Sequence, residues 1–446
     1  MTNPALFARP ALLRFLSDYG MLLVLAVLCA FFSVATLTEQ YPTGEAAARQ
    51  VAAQFAKGAR VLVAARAQPD DVLFADTLDA ALRAAGVEVA AVVKGEPSDA
   101  RAALQRVAAG GKLDAIACNQ ATAAWLVFAD LAADFPALGA PRVVKPHSYR
   151  WPNFLKRDNL LNIANQIAVI AIVAVGMTMV IVSAGIDLSV GSLIALSAVL
   201  AAIFIRDFAG GVQATAEGMT LACLAAIAVC GLAGAFSGAI VTVFGIPPFI
   251  VTLAMMLVAS GAAYLFAHGQ SVYQIPDSFV WLGRGADVPG VPNAVLLMLV
   301  LYGAAHVLMS HLRLGRYLYA VGGNAEAARL SGVPLRRVIL FAYIASGLLA
   351  GLGGVVMASQ LKSGSPTYGG MYELYVIAAV VVGGASLRGG RGRMFGTLIG
   401  AFTIAVIQNG MNLWNVESYT QKVVLGLVIL AAVLLDMARQ RLVAGG

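Results

Sequence analysis

The chain has 446 residues, 60% of them hydrophobic and only 12% charged, with a formal net charge of +7 and a mean hydropathy of +0.82. A soluble globule carries roughly a quarter charged residues, so this composition excludes a purely soluble protein and describes a chain dissolved largely in lipid. Its arginines gather in particular loops, as the positive-inside bias of membrane proteins requires, so the positive balance points to a bilayer and no nucleic acid is expected as a partner.

A membrane span needs about 20 apolar residues. The first candidate, 20–38, follows Arg9 and Arg14 and closes an N-terminal region 1–39. Its basic lead, apolar run and Ser33-Val34-Ala35 also fit a signal peptide. A run near full spanning length favours a retained helix. Residues 40–150 break the apolar pattern and alternate strand-length apolar runs (Ala59–Ala65, Val87–Val93, Leu113–Cys118) with helical stretches. Such alternation implies βαβ units and a small parallel sheet.

From 151 to 440 the chain is apolar again, with spans expected near 161–183, 187–205, 218–243, 248–267, 292–310, 338–358, 372–387, 396–411 and 421–437. The expected fold is an all-α polytopic membrane protein of about ten transmembrane helices with a small extracytoplasmic α/β insert. A cytoplasmic N-terminus and strict alternation place four arginine clusters on one side: Arg9/Arg14, the 313–337 loop, Arg388–Arg393 and Arg439/Arg441. That assignment puts both termini in the cytoplasm and the 40–150 insert outside it.

The first carboxylate within the expected spans from 161 onward is Asp187, in Gly185-Ile-Asp187-Leu-Ser189-Val-Gly-Ser192. A carboxylate at membrane depth is costly. Two roles are open: capping the next helix through its orphan N–H groups, or lining a transport path. Next comes Gly245-Ile-Pro247-Pro248-Phe-Ile-Val-Thr252, where proline fits a helix start. The 312–337 loop is a polar island. Five arginines (Arg313, Arg316, Arg329, Arg336, Arg337) lie on or beside it, and Glu326 is its only acid. It reads as a short helix capped by Asn324 and stopped by Gly332 and Pro334. Gly383–Gly400 echoes the Gly185–Ser192 break about two hundred residues later, and matched breaks in two halves of a transporter point to the path between them. Glu373 precedes that break. Asn409 and Asn412 share a face of a late helix, where neutral amides suit hydroxyl-rich cargo or helix–helix hydrogen bonds.

Several chemistries are missing. Gly111-Lys112 lacks the spacing of a phosphate-cradling loop, so the chain hydrolyses no ATP itself. The four histidines are scattered, and Cys29, Cys118, Cys223 and Cys230 form no CxxC pair, so neither a metal site nor a disulfide framework is expected.

On Gly176-Met-Thr with Gly185–Ser192, Ile246–Thr252, Gly322–Gly332, Tyr372-Glu-Leu and Gly383–Gly400, the region from about 153 to 440 resembles permease subunits of bacterial ABC importers for simple sugars of the ribose, xylose and galactofuranose type. Gly95–Arg106 with Gly111–Asn119 resembles half a lobe of a periplasmic sugar-binding protein. The permease resemblance implies a second permease copy or paralogue, a cytoplasmic sugar ABC ATPase carrying the ATP and magnesium, and a periplasmic sugar-binding protein, all at the bacterial inner membrane. It implies no cofactor on this chain. Gly323, Asn324, Glu326, Ala327, Ala328, Arg329 and Gly332 then resemble the family's ATPase-coupling helix. The translocation path is expected at Gly185, Asp187, Ser189, Ser192, Pro247, Pro248, Thr252, Glu373, Asn409 and Asn412. Ser237-Gly238 stands where the family often has Asn-Gly, Tyr375 where an acid often follows Glu-Leu, and the insert is extra. The alternative function is an ion-coupled secondary transporter, which would need several buried ionisable groups.

Overall fold

The structure is a computed structural model that describes residues 5–288 and 290–444. The chain divides into two compact units, Leu37–Pro152 and the remainder, in which Met1–Thr36 joins Asn153–Gly446.

The Leu37–Pro152 unit is a four-stranded parallel sheet of order β3-β2-β4-β5, from β2 (Arg60–Ala65), β3 (Glu88–Lys94), β4 (Ala115–Cys118) and β5 (Arg142–Val144). The Pro69–Ala84 helix crosses from β2 to β3 and the Pro97–Ala108 helix from β3 to β4. Each face of the sheet buries its own apolar layer: Val61, Val63, Phe74, Leu78 and Leu82 on one, Leu62, Leu104, Ile116 and Leu138 on the other. The expected βαβ pattern is therefore what the backbone does. An antiparallel ribbon was not predicted. Leu37–Gln40 (β1) pairs with Tyr149–Pro152 (β6), which moves the boundaries of this unit outward from 40–150.

The other unit is helical. Among the described residues, seven helices are long and apolar enough to cross a membrane: Arg157–Val182, Val190–Asp207, Ala216–Phe244, Pro248–Phe266, Asn293–His311, Leu335–Leu361 and Met394–Leu413. Two more, Ala5–Ala35 and Ser418–Ala444, have apolar stretches at Gly20–Ala35 and Ser418–Ala431. Arg157–Val182 is central, with 89% of its apolar window buried, against 22% for the peripheral Pro248–Phe266. Helices approach closely through small residues, as in membrane packing generally. A Cβ on Gly234 would overlap the Tyr343 carbonyl, and one on Gly347 would overlap that of Cys230. Cys230 is a buried packing residue in this seam.

The tenth element corrects the expected 372–387 span. The helix there is Tyr372–Val382, 11 residues, or about 16 Å at 1.5 Å per residue, half of a bilayer core. The chain leaves the Leu335–Leu361 helix and descends without helical structure through 362–371. Gly364 lies against Ala198 and Ala202, and Gly369 against Gly191 and Ile194. The segment thus runs beside the Val190–Asp207 helix over about eleven residues, roughly 16 Å, before the half-helix begins. Paired bonds between Val272 and Gly364 (2.7 and 2.9 Å) pin its upper part. Composition alone reads 372–387 as a span, because it is apolar apart from Glu373 and Ser386, whereas its starting depth is set by the Val190–Asp207 helix.

Candidate functional site

Non-helical backbone at membrane depth persists only where protein buries it or where it lines a water-filled cavity. Both conditions hold for 362–371. Ser363, Gly364, Ser365 and Pro366 are buried. From Pro366 to Glu373 the segment lines a cavity of about 320 Å³, closed by Gly191, Ser192 and Ala195 on one side and by Met256, Ser260 and Tyr264 on the other. The volume sits at the lower end of small-molecule sites, roughly 300–1,000 Å³. A second cavity of about 250 Å³ lies on the other flank of the half-helix, where Gln166, Gln360, Gln408, Tyr372 and Tyr375 join aliphatic side chains. Among the described residues, no Lys, Arg or His lines either cavity.

Of the predicted path residues, Ser192 and Glu373 line the larger cavity. Asp187, Ser189 and Thr252 instead belong to a hydrogen-bonded knot one turn beneath it, and Gly185, next to them in the chain, gives its N–H to the Val180 carbonyl (2.9 Å). The Asp187 carboxylate, 1% exposed, accepts the Ser189 N–H (3.0 Å), the Ser189 hydroxyl (2.6 Å) and the Ser346 hydroxyl (2.7 Å). Thr252 donates to the Ile186 carbonyl or to that of Pro248. Between the two open roles of Asp187, the geometry is that of the cap: it ties the start of the Val190–Asp207 helix to the Leu335–Leu361 helix. Pro248 is the first residue of its helix, and Pro247 precedes it exposed. Asn409 and Asn412 are also elsewhere. Asn409 exchanges two hydrogen bonds with Asn159 (2.8 and 3.1 Å), and Asn412 accepts from Gln421 (2.8 Å). These amides hold helices together and line neither cavity. Gln408, which the sequence offers beside Asn409, does line the smaller cavity; Gln166 and Gln360 there, and Ser260 and Tyr264 in the larger one, were missed, because only the packing around the half-helix brings them to these spaces.

The polar island forms two helices, Arg313–Gly323 and Ala325–Leu330, hinged at Asn324. The Asn324 side chain accepts the Ala327 N–H (2.9 Å), and Gly332 leaves the helix at φ +79°, so the short second helix is as expected. The first was not predicted. Gly323, Asn324, Glu326, Ala327 and Arg329 are exposed, whereas Ala328 is buried. Glu326 and Arg329 pair with each other in solvent, an arrangement that adds little stability and leaves both groups accessible. Leu330, 77% exposed, is the apolar tip that sequence reasoning passed over. The island also touches both glycine-rich breaks. A Cβ on Gly322 would overlap the Val182 carbonyl, the Gly390 N–H donates to that same carbonyl (2.9 Å), and the Tyr319 hydroxyl donates to the Gly392 carbonyl (2.7 Å).

A bundle of membrane-crossing helices, a half-helix starting at depth beside cavities, and an exposed polar element at the foot of the bundle define a multi-pass transport permease. The chain belongs to the family described as the branched-chain amino acid transport system / permease component, which matches residues 159–433. Its curated relatives include the ribose import permease protein RbsC of Escherichia coli (strain K12), 45% identical over 293 residues, 65% of this chain and 88% of that one. RbsC of Bacillus subtilis (strain 168) is 41% identical over 287 residues, 64% of this chain and 86% of that one. The D-allose transport system permease protein AlsC of E. coli (strain K12) is 37% identical over 283 residues, 64% and 84% of the two chains. No solved structure matches. The Leu37–Pro152 unit lies outside the family match.

Proposed function

We propose that this chain is the permease subunit of an ATP-driven ABC importer and that its cargo is a neutral monosaccharide. The relatives named for ribose and D-allose support the sugar. The observation that decides between sugar and amino acid is the chemistry of the cavities. An amino acid carries a carboxylate, and neither cavity offers it a cation. The helix N-terminus facing the larger cavity has Glu373 in its first turn, which repels an anion there. Hydroxyls, amides and tyrosine rings are what an uncharged polyol needs. Ion coupling finds less support: the buried carboxylate of Asp187 is already taken up by three hydrogen bonds.

In this reading a periplasmic binding protein delivers the sugar, a second permease copy or paralogue completes the membrane unit, and a cytoplasmic ATPase docks on Arg313–Leu330. Both termini then lie in the cytoplasm of a bacterial inner membrane, and the insert lies outside. Movement at the docked island reaches the cavity in a few contacts: Gly322 to Val182, Val182 through the Asp187 knot, and the knot to Gly191 and Ser192 in the cavity wall.

The test is uptake by proteoliposomes holding this chain with a sugar ABC ATPase and a periplasmic sugar-binding protein that co-purify with it. ATP-dependent uptake of ribose or allose without leucine uptake is expected. Leucine uptake without sugar uptake would overturn the reading.

A further inference from the structure

We propose that the cavity between the Val190–Asp207 helix, the Pro248–Phe266 helix and the 366–373 segment is the sugar's station in the membrane, and that Glu373 restricts it to uncharged sugars. This rests on the sugar-permease reading and adds to it a place, a contact set and an exclusion of anionic sugars.

Three polar groups in the cavity wall have capacity to spare. Among the described residues Ser260 and Tyr264 make no side-chain hydrogen bond, and the Glu373 carboxylate has its own backbone N–H as a donor but no cation beside it. The other hydroxyls there are spent. Ser192 donates to the Ser189 carbonyl, Thr367 is bonded to Ser365, and Tyr368 to Ser363. A half-buried carboxylate without a countercharge is costly and is retained at membrane depth where it faces water or cargo. Glu373 is also built into the wall by shape, since a side chain on Gly191 would overlap its carboxylate. A carboxylate accepts two hydroxyls at once, so it suits the vicinal diol of one furanose or pyranose ring. Tyr264 supplies a ring face for the sugar's C–H groups and a hydroxyl at its edge, and Ser260, one helical turn before it, adds another hydroxyl. The same carboxylate repels sugar phosphates and uronic acids, and no cation in the cavity offsets it.

The experiment has two arms on the assembled transporter. In the first, Glu373→Gln and Tyr264→Phe are compared with the parent for ATP-driven uptake of ribose and allose and for ATP hydrolysis. Uptake by Glu373→Gln is expected to fall tenfold or more, and that by Tyr264→Phe severalfold, while hydrolysis stays within twofold. Glu373→Asp should recover part of the uptake. In the second, Ser260→Cys is placed in a background with Cys29, Cys118, Cys223 and Cys230 replaced, and is labelled with cationic and anionic methanethiosulfonates. The cationic reagent is expected to react faster, and Glu373→Gln should abolish that bias. Parent-like uptake by both Glu373→Gln and Tyr264→Phe, or labelling without charge bias, overturns the proposal alone. A parent transporter that moves no sugar sinks the sugar-permease reading and the proposal with it.

Discussion

Asp187 shows how one residue can look functional for a structural reason. Its cost at membrane depth is offset by three hydrogen bonds, two to Ser189 and one to Ser346. Asp187→Ala leaves the Ser189 amide and two hydroxyls short of an acceptor in an apolar surround, a loss of about 1–3 kcal/mol per unsatisfied buried group. The detergent-purified variant should unfold at a clearly lower temperature than the parent. Ser237 supplies the contrast. It is 1% exposed and its hydroxyl has no partner, so Ser237→Ala should leave the unfolding temperature unchanged or raise it. Equal unfolding temperatures for Asp187→Ala and the parent would show that the knot holds nothing. The Asp187 cap was legible in the sequence because its Ser189 partner is local. The third partner, Ser346, is 159 residues away and follows only from helix packing.

At the scale of elements, what was legible was what is encoded locally. The cap at Asn324 and the stop at Gly332 are one-turn patterns, and the spans are runs of composition. The half-helix was not legible. Beyond Glu373, Tyr372–Val382 is apolar like any span, and what shortens it is the contact of Gly364 and Gly369 with the Val190–Asp207 helix. The polar island follows the same division: its second helix could be read, whereas the Arg313–Gly323 helix and the contact of Gly322 with the Val182 carbonyl belong to tertiary structure. An exposed leucine beside an exposed ion pair on a short rigid helix fits a partner surface, with Leu330 as anchor and Glu326 and Arg329 at its rim. Leu330→Glu and Arg329→Glu should each weaken retention of the ATPase in pull-downs from solubilised membranes, Leu330→Glu by tenfold or more, with membrane levels of the permease unchanged. Parent-like retention by both variants would move the docking site elsewhere.

At the scale of the whole molecule the question is whether the extra unit is needed by the permease. The helical unit closes without it. The Asn153 N–H donates to the Thr36 carbonyl (2.9 Å), and the Phe154 N–H donates to the Thr36 hydroxyl (3.1 Å), so the chain ends left by removing 37–152 already meet. Phe32 packs against Phe154 at a tilt and edge-to-face against Trp414 (6.1 and 5.5 Å between ring centroids) and fills the space beside Gly410. The first helix is thereby fastened by core residues alone. The excised unit has its own two apolar layers on one sheet. Deleting 37–152 with a short glycine-serine link should therefore give a monodisperse membrane core that still retains the ATPase. The separate 37–152 fragment should unfold in one cooperative step. Cys118 reports on that fragment directly. Burial pushes its thiol up to about 12, and only the thiolate reacts with alkylating agents. At pH 8 the folded fragment should resist iodoacetamide until denaturant is added. Prompt alkylation of Cys118, or aggregation of the deleted core, would show that the two units depend on each other to fold.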